Sequence, residues 1–173
     1  MDNIQIRSLQ QTDVEALLSF MNTISQERTF IRLQGEPITL DIEIRYVDDY
    51  VRKINEHTAV KLLAWNGPEL VGVADICLRD KIERHIGVFG ITIKKEWRGK
   101  GLGKMLMEKT IEEGIRNITG LKIIELGVFA NNPIAKKMYE KMGFVEYGRL
   151  PKGIQYKGEL IDHIYMYKFT DSK

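Results

Sequence analysis

Apolar residues recur along this chain with two spacings, every second position and every third or fourth, and the alternation between them outlines the fold. Ile4-Gln5-Ile6-Arg7 reads as a first strand. Thr12-x-x-Glu15 has the form of a capping box, and Val14, Leu17, Leu18, Met21 and Ile24 stripe the helix it predicts. After a break at Gly35-Glu36-Pro37, a second helix is expected from about Leu40 to Ile54. Ala59–Trp65 and Glu69–Leu78 predict two strands joined by a hairpin turn at Asn66-Gly67, and His85–Ile93 predicts a third. Leu102, Met105, Leu106, Ile111, Ile115 and Ile118 then recur at helical spacing. Leu121–Phe129 is apolar on both faces, which predicts a central strand covered on two sides. Asn132 is placed as a helix N-cap with Pro133 at the first helical position, where a missing N–H costs nothing. Ile134, Ala135, Met138, Tyr139 and Met142 supply that helix's expected buried stripe, and Gly143 its C-terminal stop. A hairpin around Lys157-Gly158 ends the pattern.

A chain of 173 residues with 43% hydrophobic content suits one domain spanning residues 1–173. The one cysteine, Cys77, excludes an internal disulfide framework and fits a reducing, cytoplasmic setting. No apolar run approaches the roughly 20 residues of a membrane span, and the polar amino terminus does not read as a signal peptide. A formal charge of +2 is too small to indicate a nucleic-acid partner. Its distribution says more. Residues 1–60 hold ten acids and six bases, a net −4, whereas residues 94–122 hold eight bases and four acids, a net +4. The acidic half could attract a cationic amine, and solvated helix faces account for the same acids.

The basic segment contains Arg98-Gly99-Lys100-Gly101-Leu102-Gly103-Lys104, where the strand ending in Ile91-Thr92-Ile93 gives way to a helix. Glycine lets backbone pass close to a ligand, and a helix start offers unpaired N–H groups and the positive end of a dipole. Arg98, Lys100 and Lys104 add point charge, so the segment reads as an anion cradle. A dinucleotide fingerprint would need glycine at 104 or 106, where Lys104 and Leu106 stand. A P-loop would need glycine at 98 and Ser or Thr at 105, where Arg98 and Met105 stand. The kinase glycine loop fails on the same missing glycine.

The remaining pattern, R-x-x-G-x-G, resembles the coenzyme A diphosphate loop of the GNAT superfamily of acetyl-CoA-dependent N-acetyltransferases. The string from Asn131 to Phe144 resembles that family's second motif, N-x-x-A-x-x-x-Y-x-x-x-G-F, at every fixed position, in the family's order and at about its separation. The resemblance implies an α/β (α+β) fold: a mixed, mostly antiparallel sheet of about seven strands flanked by helices and splayed between its two middle strands. It implies acetyl-CoA as co-substrate, held by Arg98 through Lys104 and by Asn132, with no metal. The family's oxyanion donor is a backbone N–H on the strand before the cradle, which maps to Ile91, Thr92 and Ile93. The proton for the departing thiolate comes from the motif tyrosine, which maps to Tyr139. Tyr139 also falls on an apolar stripe, so a packing role stands beside the chemical one.

No motif fixes the general base. Glu27 and Glu83 are candidates because they lie near segments that border the acceptor site in the family. Glu125 is a third, within an apolar strand where burial without a partner would raise its pKa. His57, His85 and His163 lack metal-ligand spacing, and His85 could border the acceptor site or simply hold structure. Cys77 has no activating neighbour in sequence, which favours an inert thiol and hence direct transfer without an acyl-enzyme. The leading function is acetylation of a primary amine on a small molecule: a polyamine, an amino acid or an amine-bearing toxin. A protein acetyltransferase acting on an N-terminus or lysine is the alternative, and a non-catalytic coenzyme A-binding regulatory module is the third. Dimers are common among relatives, so a homodimer is an assembly the resemblance admits.

Overall fold

The computed structural model describes residues 3–171. Seven strands form one sheet in the order β1-β2-β3-β4-β5-β7-β6. They are β1 (Ile4–Ser8), β2 (Ala59–Asn66), β3 (Glu69–Leu78), β4 (Ile86–Ile93), β5 (Ile123–Phe129), β6 (Val145–Tyr156) and β7 (Glu159–Phe169). Four helices accompany them: α1 (Val14–Gln26), α2 (Leu40–Asn55), α3 (Leu102–Asn117) and α4 (Pro133–Lys141). β1–β2, β2–β3, β5–β7 and β6–β7 pair antiparallel, whereas β4–β5 pairs parallel. The parallel ladder covers only Ile86–Val88 against Ile123–Glu125, although both strands run on. Such a short ladder matches the expected parting of the middle strands.

The chain forms two compact units, one of residues up to 77 with 90–119, the other of 78–89 with residues from 120 on. In the first, α2 and α3 pack on β2, and α1 packs on α2. Its core joins Leu17, Phe20 and Ile24 of α1 and Val47 and Tyr50 of α2 to Leu63, Leu70 and Val73 of the sheet. α1 begins differently from the expected capping box at Thr12. The cap is two residues earlier, at Gln10, where the Asp13 carboxylate accepts the Gln10 N–H at 2.8 Å and closes a short 3-10 turn over Gln11–Asp13. The same carboxylate takes both Arg7 nitrogens, at 2.6 and 2.7 Å, so this buried acid is tied to β1. A tertiary ion pair thus decided the position that a local rule placed elsewhere.

Burial would push the Asp13 carboxyl up, but Arg7 and the Gln10 N–H outweigh it and hold the group below the ordinary carboxylate range. A folded value below the unfolded one means stability present above pH about 4 and lost as pH falls through the depressed value. Asp13→Asn is therefore expected to cost about 2 kcal/mol at pH 7. Urea unfolding should show that gap between variant and wild type closing near pH 2, and an equal gap at both pH values would refute the pairing's role.

In the second unit, β5 alternates between buried Ile124, Leu126 and Val128 and more open Ile123, Glu125 and Gly127. The expected two-sided cover of Leu121–Phe129 is therefore corrected: one face of this strand is sealed and the other is not. The Gly67-Pro68 pair forms the tip of the β2–β3 hairpin, because Asn66 still pairs with Glu69, one residue later than the expected turn. Lys157 and Gly158 turn the final hairpin with φ of +51° and +83°. α4 starts as expected: Asn132 Oδ1 accepts the Ala135 N–H at 3.2 Å, and Pro133 follows. Gly143 ends it with φ +86°. Two striped positions do not bury, since Ile134 is 83% exposed and Ile115 of α3 is 49% exposed. Met107, Thr110 and Gly114 take the inner face of α3 instead.

Candidate active site

In the first unit, β4 ends at Ile93, a 3-10 turn covers Lys95–Trp97, and α3 starts at Leu102. Gly99 and Gly101 between them have φ of +71° and +87°, a region that side chains with a Cβ rarely occupy. Gly101 is the helix N-cap and brings no side chain to the first-turn amides, which have no partner inside the helix. Gly99, Lys100 and Gly101 are exposed, and a Cβ on Gly99 would meet nothing within 4 Å. Leu102, fully buried, and half-buried Gly103 fix the start of the helix, while Lys104 stands in solvent 3.5 Å from Glu108. Lys100 Nζ lies 5.6 Å from the centre of the Trp97 ring. Open backbone amides, a helix dipole and basic side chains together suit a diphosphate.

Arg98 is held on two sides. Its Nε donates to the Ile93 carbonyl at 2.8 Å, and Nη2 meets Glu27 Oε2 at 2.5 Å. Glu27 caps the C-terminus of α1, with its side chain 16% exposed. This base candidate thus sits in an ion pair with the cradle arginine. Ile91, Thr92 and Ile93 are half-buried at the end of β4, and Ile93 packs where a Cβ on Gly72 would stand 2.7 Å from its Cδ1.

In the second unit, Tyr139 lies on the inner face of α4 and is buried. Its ring packs against Phe89 and Phe144, with centroids at 6.5 and 6.2 Å. Burial alone pushes its hydroxyl up to about 12, so it keeps its proton across the neutral range. Asn132 spends its side-chain oxygen on the helix cap. Glu125 is not unpaired: Arg79 donates to its Oε1 at 2.8 Å, and the same arginine reaches Glu83 at 2.8 Å. Two of the three base candidates therefore share one arginine. The His85 carbonyl accepts the Lys122 N–H at 2.8 Å, a backbone role in joining β4 to β5. Cys77, at the edge of the first unit, is half-buried, and burial pushes its thiol up and away from thiolate character. Among the described residues, no group of three or more His, Cys, Asp and Glu could hold a metal ion. A cleft of about 370 Å³, lined by Ser8, His57, Glu113 and Asn117 among others, includes no cradle residue.

The sequence reading passed over a polar cluster inside the first unit. Lys61 of β2 and Asp75 of β3 are cross-strand partners, with Nζ donating to Asp75 Oδ1 at 3.1 Å. Lys61 Nζ also donates to the Tyr46 hydroxyl at 2.9 Å and lies 4.5 Å from the Tyr50 ring centre. The Tyr50 hydroxyl donates to Asp75 Oδ2. Burial would lower the Lys61 pKa, but Asp75 and Tyr46 reverse this and the ammonium is held above its ordinary value. Glu43 of α2 is buried beside this lysine, and its Oε1 has no hydrogen-bond partner among the described residues. Burial pushes the Glu43 carboxyl up, with Lys61 pulling against it. One sequence signal was available: a lysine at the third position of the apolar run Ala-Val-Lys-Leu-Leu-Ala-Trp, which must find a counter-charge if the strand is central.

Comparison with known proteins follows the same lines. The sequence model of the acetyltransferase (GNAT) family matches residues 21–144. An L-amino acid N-acetyltransferase of Escherichia coli is 28% identical over 170 residues, covering 96% of this chain and 98% of that protein. A solved GNAT-family acetyltransferase from Streptococcus pneumoniae has a TM-score of 0.86 and 29% identity, covering 96% of this chain and 98% of the other. The spermidine N-acetyltransferase of Vibrio cholerae, solved with CoA and spermine, shares the fold at TM-score 0.76 and 22% identity, over 98% and 97% of the two chains.

Proposed function

The chain belongs to the GNAT family of acetyltransferases and is an acetyl-CoA-dependent N-acetyltransferase, and from that premise we propose that its acceptor is the primary amine of a small molecule. The observation that carries this reading is the likeness to the E. coli L-amino acid N-acetyltransferase along nearly the whole of both chains. That likeness takes in α1, α2 and the terminal hairpin, where acceptor choice is expected to reside, rather than the cofactor motifs alone.

In the proposed reaction, the cradle from Arg98 to Lys104 binds the diphosphate of acetyl-CoA through open amides and positive charge. A backbone N–H among Ile91–Ile93 donates to the carbonyl oxygen as it gains charge; losing one such donor typically costs on the order of 10²–10³ in rate. The neutral amine forms the new C–N bond and the C–S bond breaks; the departing sulfur takes the proton of the Tyr139 hydroxyl, and the proton lost by the amine nitrogen replaces it, so that free thiol and a protonated Tyr139 result. Cys77 is half-buried and burial pushes its thiol up, away from the thiolate that a nucleophile needs, which supports direct transfer. Glu27 serves as the partner of Arg98, which donates to its Oε2 and is held at the cradle by it.

The test is release of free thiol from acetyl-CoA with L-amino acids, spermidine and an oligopeptide bearing a free N-terminus. Turnover with at least one small amine, exceeding that with the peptide, is the expected result. Turnover confined to the peptide would overturn the small-molecule reading, and acetyl-CoA binding without any transfer would make the chain a coenzyme A-binding module.

A further inference from the structure

We propose that the cluster around Asp75 seats the acceptor's primary ammonium group, with the Asp75 carboxylate as its counter-charge. The inference rests on the small-amine reading above and names the residue that selects for it.

Position comes first. Asp75 projects over Gly90 of β4: a Cβ there would stand 3.6 Å from Asp75 Oδ1 and 3.9 Å from Oδ2. Gly90 immediately precedes Ile91–Ile93, the backbone proposed to receive the thioester oxygen. The carboxylate therefore spans bare backbone one residue from that segment, with no side chain on Gly90 to block approach.

Charge comes second. Lys61 needs one carboxylate, and Asp75 supplies it at 3.1 Å. The cluster holds a second, Glu43, only 2% exposed and with Oε1 unpartnered among the described residues. Burial pushes the Glu43 carboxyl up while Lys61 pulls against it, so Asp75 and Glu43 draw on the same ammonium and Asp75 does not have it to itself. An incoming ammonium would give Asp75 a counter-charge of its own.

Access comes third. The Lys61 side chain is 4% exposed and that of Asp75 24%, so the part of the cluster open to a ligand is its anionic end. Each Asp75 oxygen accepts one hydrogen bond, from Lys61 or from Tyr50. A carboxylate has about four acceptor sites, so two remain for an ammonium's donors. Lys61 and Tyr50 fix the carboxylate's orientation, which makes them positioning residues.

Asp75→Asn removes the charge and keeps the shape. It is expected to raise KM for the best small amine at least tenfold while KM for acetyl-CoA stays within twofold. A merely structural role would move both constants together, or lower the melting temperature without separating them. If the single variant does not fold, the double variant Lys61→Met/Asp75→Asn removes both charges in balance and should show the same selective rise. An unchanged amine KM in whichever variant folds overturns the proposal while leaving the small-amine reading intact. Wild-type protein that turns over no small amine overturns both.

Discussion

Tyr139→Phe is expected to lower kcat about 10²-fold, with KM for acetyl-CoA little changed. A positioned proton donor contributes roughly 10²–10⁴, and the environment of this hydroxyl argues for the lower end. Burial pushes it up to about 12, whereas an ordinary thiol titrates near 8.5. The buried phenol is therefore the weaker acid of the two. It can donate a hydrogen bond to the sulfur as charge builds there, but it gains nothing by surrendering its proton fully unless the amine's proton replaces it. The pH profile should show no loss of rate attributable to this group below pH about 12, because its protonated form is retained throughout. Stability is a built-in control: the ring contacts with Phe89 and Phe144 survive the substitution. Steady-state kinetics with both substrates, beside a melting curve, would decide it. A variant within threefold of wild type would leave Tyr139 a packing residue.

The parts of this molecule that were legible in its sequence are those governed by local backbone chemistry. Gly99 and Gly101 occupy positive φ because the chain must turn from strand to helix with exposed amides, and only glycine does so without strain. Asn132, Pro133 and Gly143 bracket α4 through capping rules that span a few residues. Errors arose where tertiary pairing overrode such rules. The Thr12 cap gave way to Asp13 because Arg7 reaches it from β1. Ile134 followed helical spacing but lies outside the buried face of a nine-residue helix. Glu125 looked isolated in its strand because Arg79 lies 46 residues away.

The Lys61 cluster was illegible for the same reason in a stronger form. Its members come from α2, β2 and β3, and none belongs to a motif. Their chemistry exists only once the β2–β3 register sets Lys61 opposite Asp75 and α2 lays Tyr46, Tyr50 and Glu43 beside them. The proposed donor half of the site is thus written in glycines and caps, which are local. The acceptor seat proposed at Asp75 depends on side chains that meet only in the folded chain.

That cluster sets the largest expected effect on stability. Lys61→Ala should destabilise the fold by about 3–5 kcal/mol at neutral pH, the range for removing one partner of a buried ion pair. The loss exceeds that of a packing defect because Asp75 and Glu43 would each lose the ammonium that offsets them. Its pH dependence separates the two causes. Burial already pushes Glu43 up, and removing Lys61 deletes the influence pulling it down. A carboxyl whose folded value lies above its unfolded one costs stability above that folded value, and the cost disappears as pH falls below the unfolded value near 4.3. The deficit of Lys61→Ala should accordingly be greatest at neutral and alkaline pH and shrink towards pH 4. Lys61→Met/Asp75→Asn, which removes opposite charges together, should recover the part of the loss that comes from Asp75 and leave the pH-dependent part carried by Glu43. Urea unfolding of the three proteins between pH 4 and 9 would read this directly. A deficit independent of pH and shared by the double variant would assign Lys61 to packing by its alkyl stem instead.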